Sequence, residues 1–476
     1  MEETMSMGMD IDALCRAALT HCGDGPDALM FATLKGADSP AQLLALLCEG
    51  AGGRRPRWLG YGERGGDREL DRMFITGLAR WGRRADARAM DGFHTALNRW
   101  RGRLDLLPAH SREELTSWFI RDGRQWLIGP GSPYWPPQLA DLSIRSDWAP
   151  PLCLWGVGDP SALVSCEAPV AVVGSREAND YGRFVARGIG LHAARAGHLV
   201  VSGGAMGADA AAHWGAVAAW DERDGTDGGN PAGRTVAVFA GGLDHIGPSR
   251  NIPLFEAMTD RQGALISEMP PGTVPEARRF LLRNRIIAAL GRVVVVAQAR
   301  HRSGALNTAT WAAEMSRELY AAPGDIDEPY NTGCNRLVHE GKAMLLASAT
   351  DVSDICHAPH AAAAPPDTDG DPVHVDEAGD RKKAASARPA RERAIEDDGM
   401  RQAVEAAVRA CRRRHTPATP DAILARLRAR KTSPPCDAAT LQATLATMEA
   451  SGAVVIGSDG IVSSAPRRRD RGTAPG

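Results

Sequence analysis

The sequence predicts an α/β protein: a doubly wound parallel sheet, preceded by a mostly helical region and followed by a small winged-helix-like domain. Three observations carry this expectation. Apolar, β-rich runs recur at Val170–Val173, Leu199–Val201, Thr235–Phe239, Ala264–Ile266, Val293–Val296 and Glu318–Ala321. Helical patterns alternate with them over 180–196, 207–219, 249–261, 280–290 and 304–316. Strands that are apolar at every position need cover on both faces, which crossover helices supply to a parallel sheet. Near the C-terminus, helical patterns over 400–412, from Thr419-Pro420-Asp421 onward and over 437–451 precede two short β-rich runs, Val454–Ile456 and Ile461–Ser463. These two runs flank Gly457-Ser458-Asp459-Gly460, a hairpin signal, and three helices followed by a hairpin are the outline of a winged helix.

Taken in chain order, residues 1–126 are expected to be mostly helical. Leu43, Leu44, Leu46 and Leu47 fall on one helix face, and Met73, Phe74, Leu78 and Trp81 suggest another. The Gly/Arg-rich stretch between them, Gly50 to Gly66, reads as loop. The α/β domain is expected over 127–350. Its lead-in, 127–168, holds Pro130, Pro133, Pro136, Pro137, Pro150, Pro151 and Pro160, and reads as irregular rather than helical. Within the domain, Asp221 to Gly233 is an acidic, glycine-rich insertion that reads as a mobile loop. Residues 351–399 read as a linker: Ala358 to Asp380 is rich in Ala, Pro and Asp with almost no large apolar side chains, and Arg381 to Arg393 is basic. The winged-helix-like domain follows at 400–465, and 466–476 is a basic tail.

Composition excludes several classes. With 476 residues, 43% hydrophobic and 24% charged, the chain sits near the average of globular proteins. No run of 18 apolar residues is present, and the acidic start Met1-Glu2-Glu3 lacks the pattern of a signal peptide, so a cytoplasmic protein with no membrane association is expected. Nine scattered cysteines form no Cys-x-x-Cys pair, so neither a disulfide framework nor a structural zinc site is expected, and no cofactor is called for. The formal net charge of −2 does not argue against a polyanionic partner, because local placement of charge sets the potential.

Loops at the carboxyl ends of strands are where open α/β sheets bind ligands. Four stand out. Gly174-Ser175-Arg176 follows the first strand, with a glycine for a sharp turn, a hydroxyl donor and a guanidinium fork suited to phosphate. The segment from Ser202 to Asp209 brings Gly203, Gly204 and Gly207, whose exposed amides favour an anion. It matches neither a P-loop nor Gly-x-Gly-x-x-Gly. Asp209 and His213 lie four apart on the helix after it and could pair, more as a structural contact than as a catalytic dyad. Gly241-Gly242-Leu243-Asp244 is turn chemistry and weak alone. From Val274 to Ser303 seven arginines, including Arg278, Arg279, Arg283 and Arg285, face one acid, Glu276. With Phe280 and Asn284 among them, this basic track offers charges for phosphates and a ring on which bases stack. Arg302-Ser303-Gly304 with Asn307 adds another small-residue anion cradle.

At these residues the sequence resembles the DNA-processing protein A family, also called Smf. The matching segments run in order: Val170 to Arg176, Val201 to His213, Gly241 to Asp244, Leu265 to Gly272, Phe280 to Ala288, Arg302 to Leu306, Pro323-Gly324 and Asn335 to Leu337. The resemblance spans about 134 to about 346. It implies an extended Rossmann-like domain that binds single-stranded DNA without hydrolysing it, a homodimer, and a role in protecting incoming strands and loading the recombinase RecA during natural transformation. It also implies DNA contacts from Gly174, Ser175, Arg176, Phe280, Arg283 and neighbouring basic residues. Two positions depart from the family pattern: Met206 stands where the family commonly has arginine, and Gly247-Pro248 where an aromatic-Pro step is usual.

Two other readings stay open at this point. The architecture resembles phosphoribohydrolases that split nucleoside monophosphates, but Ser303 to Thr308 lacks their Pro-Gly-Gly-x-Gly-Thr-x-x-Glu loop, and Glu314 falls farther along. The C-terminal domain suggests a transcription regulator, yet Asp437 to Ser451 carries no Arg or Lys, which suits a protein-contact or regulatory module better than a duplex-reading helix.

Overall fold

A computed structural model describes residues 10–50, 57–59, 66–107, 111–144, 149–222, 232–356 and, farther on, parts of 403–464. The chain divides into two compact units, Met1–Gly370 and Asp371–Gly476.

The first unit begins with α1 (Ile11–Gly23), α2 (Ala28–Gly36), α3 (Pro40–Gly50), α4 (Gly66–Arg80), α5 (Ala87–Leu104) and α6 (Arg112–Phe119). Acceptor side chains start several of them. Asp27 accepts from the Leu29 and Met30 amides at 2.9 and 3.1 Å, Asp86 from Ala89 N at 2.7 Å, and Ser111 from Glu114 N at 3.1 Å. Asp27 also accepts from the indole Nε1 of the buried Trp100 at 2.8 Å, which ties the start of α2 to α5. Phe74 and Phe93 stack with centroids 4.4 Å apart in the centre of this layer. Helices α2 and α4 cross on two glycines: a Cβ at Gly36 would stand 1.8 Å from the Met73 carbonyl oxygen, and one at Gly77 1.7 Å from that of Ala32.

The sheet follows, with β1 (Trp126–Ile128), β2 (Leu154–Gly158), β3 (Val170–Gly174), α7 (Asp180–Arg195), β4 (Val200–Gly203), α8 (Ala208–Asp221), β5 (Thr235–Phe239), α9 (Ile252–Asp260), β6 (Ala264–Ser267), α10 (Ala277–Leu290), β7 (Val293–Gln298), α11 (Ala305–Glu314), β8 (Glu318–Ala321), α12 (Thr332–His339) and β9 (Met344–Leu345). Its nine strands lie in the order β1-β2-β6-β5-β4-β3-β7-β8-β9. All pairings from β6 to β9 are parallel, whereas β1 and β2 add an antiparallel edge. The doubly wound parallel sheet is therefore the centre of a larger mixed one. The lead-in expected to be irregular supplies that edge, because its prolines flank the run Leu154–Gly158 at 150, 151 and 160 and leave its amides free to pair.

Both faces of the central strands are covered, as their uninterrupted apolar sequence demands. Val170, Val172 and Val200 pack with α7 and α8, while Ala171, Val173 and Val201 pack with α10 and α11. Helices α1 to α6 do not form a separate core: their buried residues join Trp155 of β2, Phe239 of β5, Leu265 of β6 and Phe255 of α9 in one cluster. Helix α8 is also pinned by a polar contact. His213 donates from Nε2 to the Gly203 carbonyl at 3.0 Å, and its Nδ1 lies 2.7 Å from Thr235 Oγ1. The Asp209–His213 pair considered from spacing does not form, since His213 turns to the strand ends and Asp209 to Arg283.

Among the described residues of the second unit are a helix over Pro420–Arg428 and an antiparallel pair, Val454–Ile456 with Val462–Ser464. Their apolar side chains, including Ile423, Leu427, Val454 and Val462, share a buried cluster. Most of the expected linker, most of the 221–233 insertion, much of the expected helices over 400–412 and 437–451, and the basic tail lie outside the described residues. Among the described residues no helix is long and apolar enough to cross a membrane.

Gly77→Ala is expected to destabilise by about 1–3 kcal/mol or more through overpacking at the crossing. Gly92→Ala, on an open face of α5 where a Cβ meets nothing within 4 Å, should instead stabilise by about 0.5–1 kcal/mol; urea melts of both variants check the opposite signs. Burial lowers the His213 pKa from 6.5 to about 4. The unfolded chain therefore takes up this proton at a pH where the folded one does not, so the stabilisation is complete above 6.5 and is lost as the pH falls towards 4. Melting temperatures measured across that window should decline less steeply in His213→Gln, with His21, also held near 4 chiefly by burial, sustaining part of the decline. An unchanged slope in the variant would remove His213 as the source.

Candidate nucleic-acid interface

The chain order reverses between β3 and β7. Strands β3 to β6 are laid down in one direction, and β7 to β9 then start from the other side of β3. Loops on either side of such a reversal diverge and open a crevice at the carboxyl ends of the strands. The loop after β3, Gly174-Ser175-Arg176, and the loop after β7, with Ser303 and Gly304, both border a cleft of about 630 Å³. Helix α10, crossing from β6 to β7, adds Phe280, Arg283 and Asn284. Gln298, buried at the end of β7, holds the loops in place. Its Nε2 donates to Asn179 Oδ1 at 2.7 Å and Asn331 Oδ1 at 3.0 Å, and its Oε1 accepts from Asn179 N at 3.0 Å.

The glycines of the second loop act first by making room. Gly207 has φ +79°, and a Cβ there would lie 2.3 Å from the Ser175 carbonyl oxygen, so the two loops nest directly. The Ala208 amide, at the start of α8, donates to that same oxygen at 3.2 Å. A Cβ on Gly203 would stand 1.8 Å from Arg283 Nη1: the space of a missing side chain is filled by a guanidinium. Gly204 lets the Phe239 ring approach in the same way.

Arg283 is only 7% exposed and lies 4.0 Å from the Asp209 carboxylate, with its Nε unpartnered among the described residues. Burial lowers the Arg283 pKa and raises that of Asp209, each effect being opposed by the other's charge. Above it, the exposed Arg176 places its guanidinium 4.5 Å over the centroid of the Phe280 ring. These three residues also line a second cavity of about 440 Å³ with a largely apolar wall of Met206, Phe239, Pro248 and Pro275. Charge and an aromatic face thus meet where the cleft joins a more apolar slot.

Of the candidate contacts, Gly174, Ser175, Arg176, Phe280, Arg283, Asn284, Ser303 and Gly304 line the cleft, and Gly204 lines the slot. Gly203 and Gly207 lie beneath as spacers. Asn307 is a backing residue, its Oδ1 3.4 Å from Asn284 Nδ2. Arg302 is exposed on the loop after β7 and borders neither cavity. The single basic track is corrected. Arg285 is fully buried and forms a two-pronged contact with Glu268 at 2.6 and 2.7 Å. Arg278 and Arg279 reach Asp24 at the end of α1, at 3.4 and 3.1 Å. Helical pitch is the reason: positions two apart point to nearly opposite sides, so Arg283 and Arg285 cannot share a surface. The spacing of Phe280, Arg283, Asn284 and Ile287, all on the cleft, was the sequence signal for the side of α10 that faces it.

Sequence reasoning missed Glu177 on the rim of both cavities, His245 in the slot, and Gln298. A polar residue closing an otherwise wholly apolar strand was the available sign of Gln298. The Gly241–Asp244 loop proves to be a latch as well as a wall of the slot. Asp244 accepts from the Gly272 amide at 2.8 Å and pairs with Arg121 beyond α6.

Residues 126–357 match the family described as DNA recombination-mediator protein A. A putative DNA processing protein DprA of Mycobacterium tuberculosis is 37% identical over 238 residues, which cover 49% of this chain and 57% of that protein. The DNA processing protein DprA of Bacillus subtilis is 36% identical over 209 residues, or 44% of this chain and 65% of its own. The chain thus spans somewhat less than two thirds of each. Among solved structures, DprA of Streptococcus pneumoniae aligns at 30% identity over 54% of this chain and 81% of that one, with TM-score 0.45. A Helicobacter pylori DprA, described for its single-stranded DNA binding mode, aligns at 26% identity over 48% and 92%, with TM-score 0.40. The loops and α10 that build the cleft all lie inside the matched segment, and in that segment the chain belongs to the DNA recombination-mediator protein A family.

Proposed function

We propose that the Rossmann-like domain captures single-stranded DNA in the cleft at the β3–β7 reversal and that no bond is made or broken there. The observation that carries this reading is the guanidinium of Arg176 over the Phe280 ring, where both residues line the cleft and the more apolar slot beside it. A flexible strand needs cations for its phosphates and ring faces for its bases. Arg176 and Arg283 supply the first, Phe280 the second, and Ser175 and Ser303 add hydroxyl donors. A duplex hides its bases within the stack and would gain nothing from an aromatic face set in a crevice.

On this reading the protein works as a cytoplasmic homodimer that protects strands taken up or exposed in the cell and promotes RecA loading for recombination, with DNA uptake as the setting. Family membership of residues 126–357 supports this second half. The winged-helix-like unit over 400–465 is read as a protein-contact module.

The test is fluorescence anisotropy of labelled oligo-dT over a series of salt concentrations, with a matched duplex as control. Preferential, salt-sensitive binding to the single strand is expected. Arg176→Ala should lower the log–log salt slope by about 0.7. Phe280→Ala should cost about 1–3 kcal/mol, the range for one stacked base. Equal affinity for the duplex, or unchanged affinity in both variants, would sink the proposal. A wild-type protein that binds the strand but does not shorten the lag of RecA assembly on it would remove the loading role alone.

A further inference from the structure

A second concave surface of about 430 Å³ runs along the outside of α7 and α8. Arg183, Phe184 and Arg187 line it from α7 and Trp214 from α8, while Gly207, Ala210 and Ala211 are too small to fill the space between the helices. Its large side chains stand open to solvent: Phe184 is 60% exposed, Met206 39% and Trp214 38%. Single exposed apolar residues need no explanation, but three around one groove do.

Two features say what the groove takes. It is continuous with the candidate DNA site, because Met206 is a wall of both the groove and the apolar slot beside Arg176 and Phe280. It also repeats the composition of that site, with aromatic faces beside guanidinium groups. Arg183 and Arg187 are set against one lining acid, Asp180, which is 3.1 Å from Arg183. Cation and ring spaced along a groove are the elements of a sequence-tolerant track for a single strand.

We propose that the α7–α8 groove carries the continuation of the strand held in the cleft, with bases stacked on Phe184 and Trp214 and phosphates on Arg183 and Arg187. This rests on the single-strand reading of the cleft and extends its footprint around the Met206 loop.

The experiment compares two lengths of oligo-dT, about 6 and about 20 nucleotides, chosen because single-strand sites on small modules span roughly 4–16 nucleotides. The full chain is used, as the parent protein, the double variant Phe184→Ala/Trp214→Ala, and the single exposed change Arg187→Ala, with thermal melts confirming that each is folded. The short strand should bind all three alike. The long strand should bind about tenfold more weakly to the double variant. It should also show a salt slope lower by about 0.7 with Arg187→Ala. Unchanged long-strand binding in both variants overturns the proposal and leaves the groove to a protein partner. An equal loss on both lengths overturns it too, since the groove would then act through the cleft. Failure of the cleft reading looks different: the parent protein binds neither length, or Arg176→Ala changes neither.

Discussion

Successive side chains on an α-helix are turned by about 100°, and that pitch, acting on α10, organises much of this molecule. The segment from Arg278 to Arg285 holds four arginines in eight residues, and the helix sends them to three places. Arg278 and Arg279, in the first turn, meet Asp24 and bind the N-terminal helices to the sheet layer. Arg283 faces the cleft with Phe280 and Asn284. Arg285 enters the interior and is met by Glu268, just beyond the end of β6. Removing one member of so buried a pair costs about 3–5 kcal/mol, because the other charge is left unsolvated. The pair therefore holds α10 in one rotational setting, and the cleft residues, on the same rigid helix, inherit that setting.

The N-terminal helices take part in this arrangement. Asp24 sits at the C-cap of α1 in a left-handed conformation, φ 59°, which turns the chain so that its carboxylate also reaches Arg103 of α5 at 3.1 Å. Arg121, past α6, pairs in the same manner with Asp244 in the loop after β5. Both contacts lie above the apolar cluster shared by the helices and the sheet edge. Hydrophobic burial supplies attraction without direction, and the ion pairs fix which loop meets which helix.

How far the sequence revealed this depends on the range of the interaction. The apolar strands from Val170 to Ala321 and the helices between them were legible because burial on both faces leaves a local, continuous pattern. The glycine loops were legible as strand-end turns, but not as spacers for particular partners, since a sequence does not say that Gly203 leaves room for Arg283. The antiparallel edge escaped because β1 has only three residues and prolines crowd its surroundings. The arginines after Val274 were counted as one patch because charge in a sequence is a sum, whereas charge on a surface depends on helical phase. The Glu268–Arg285 pair spans 17 positions, and no local pattern marks it.

The chain's near-neutral total conceals how its cations are used. Arg234, Arg261, Arg279, Arg285 and Arg317 are each engaged with an acid and serve the architecture. Arg176 instead rests on an aromatic ring, and Arg283 stands 4.0 Å from Asp209, at the limit of an ion pair, with one donor unpartnered among the described residues. The Arg283 guanidinium, buried in this way, has already lost most of its water during folding. On the single-strand reading proposed above, an arriving phosphate need not strip it again and gains a donor already aimed, so part of the cost of association has been met by the fold. On that reading the buried position favours an anion able to reach into a crevice between two loops, which a thin, flexible strand can do and a duplex of fixed width cannot.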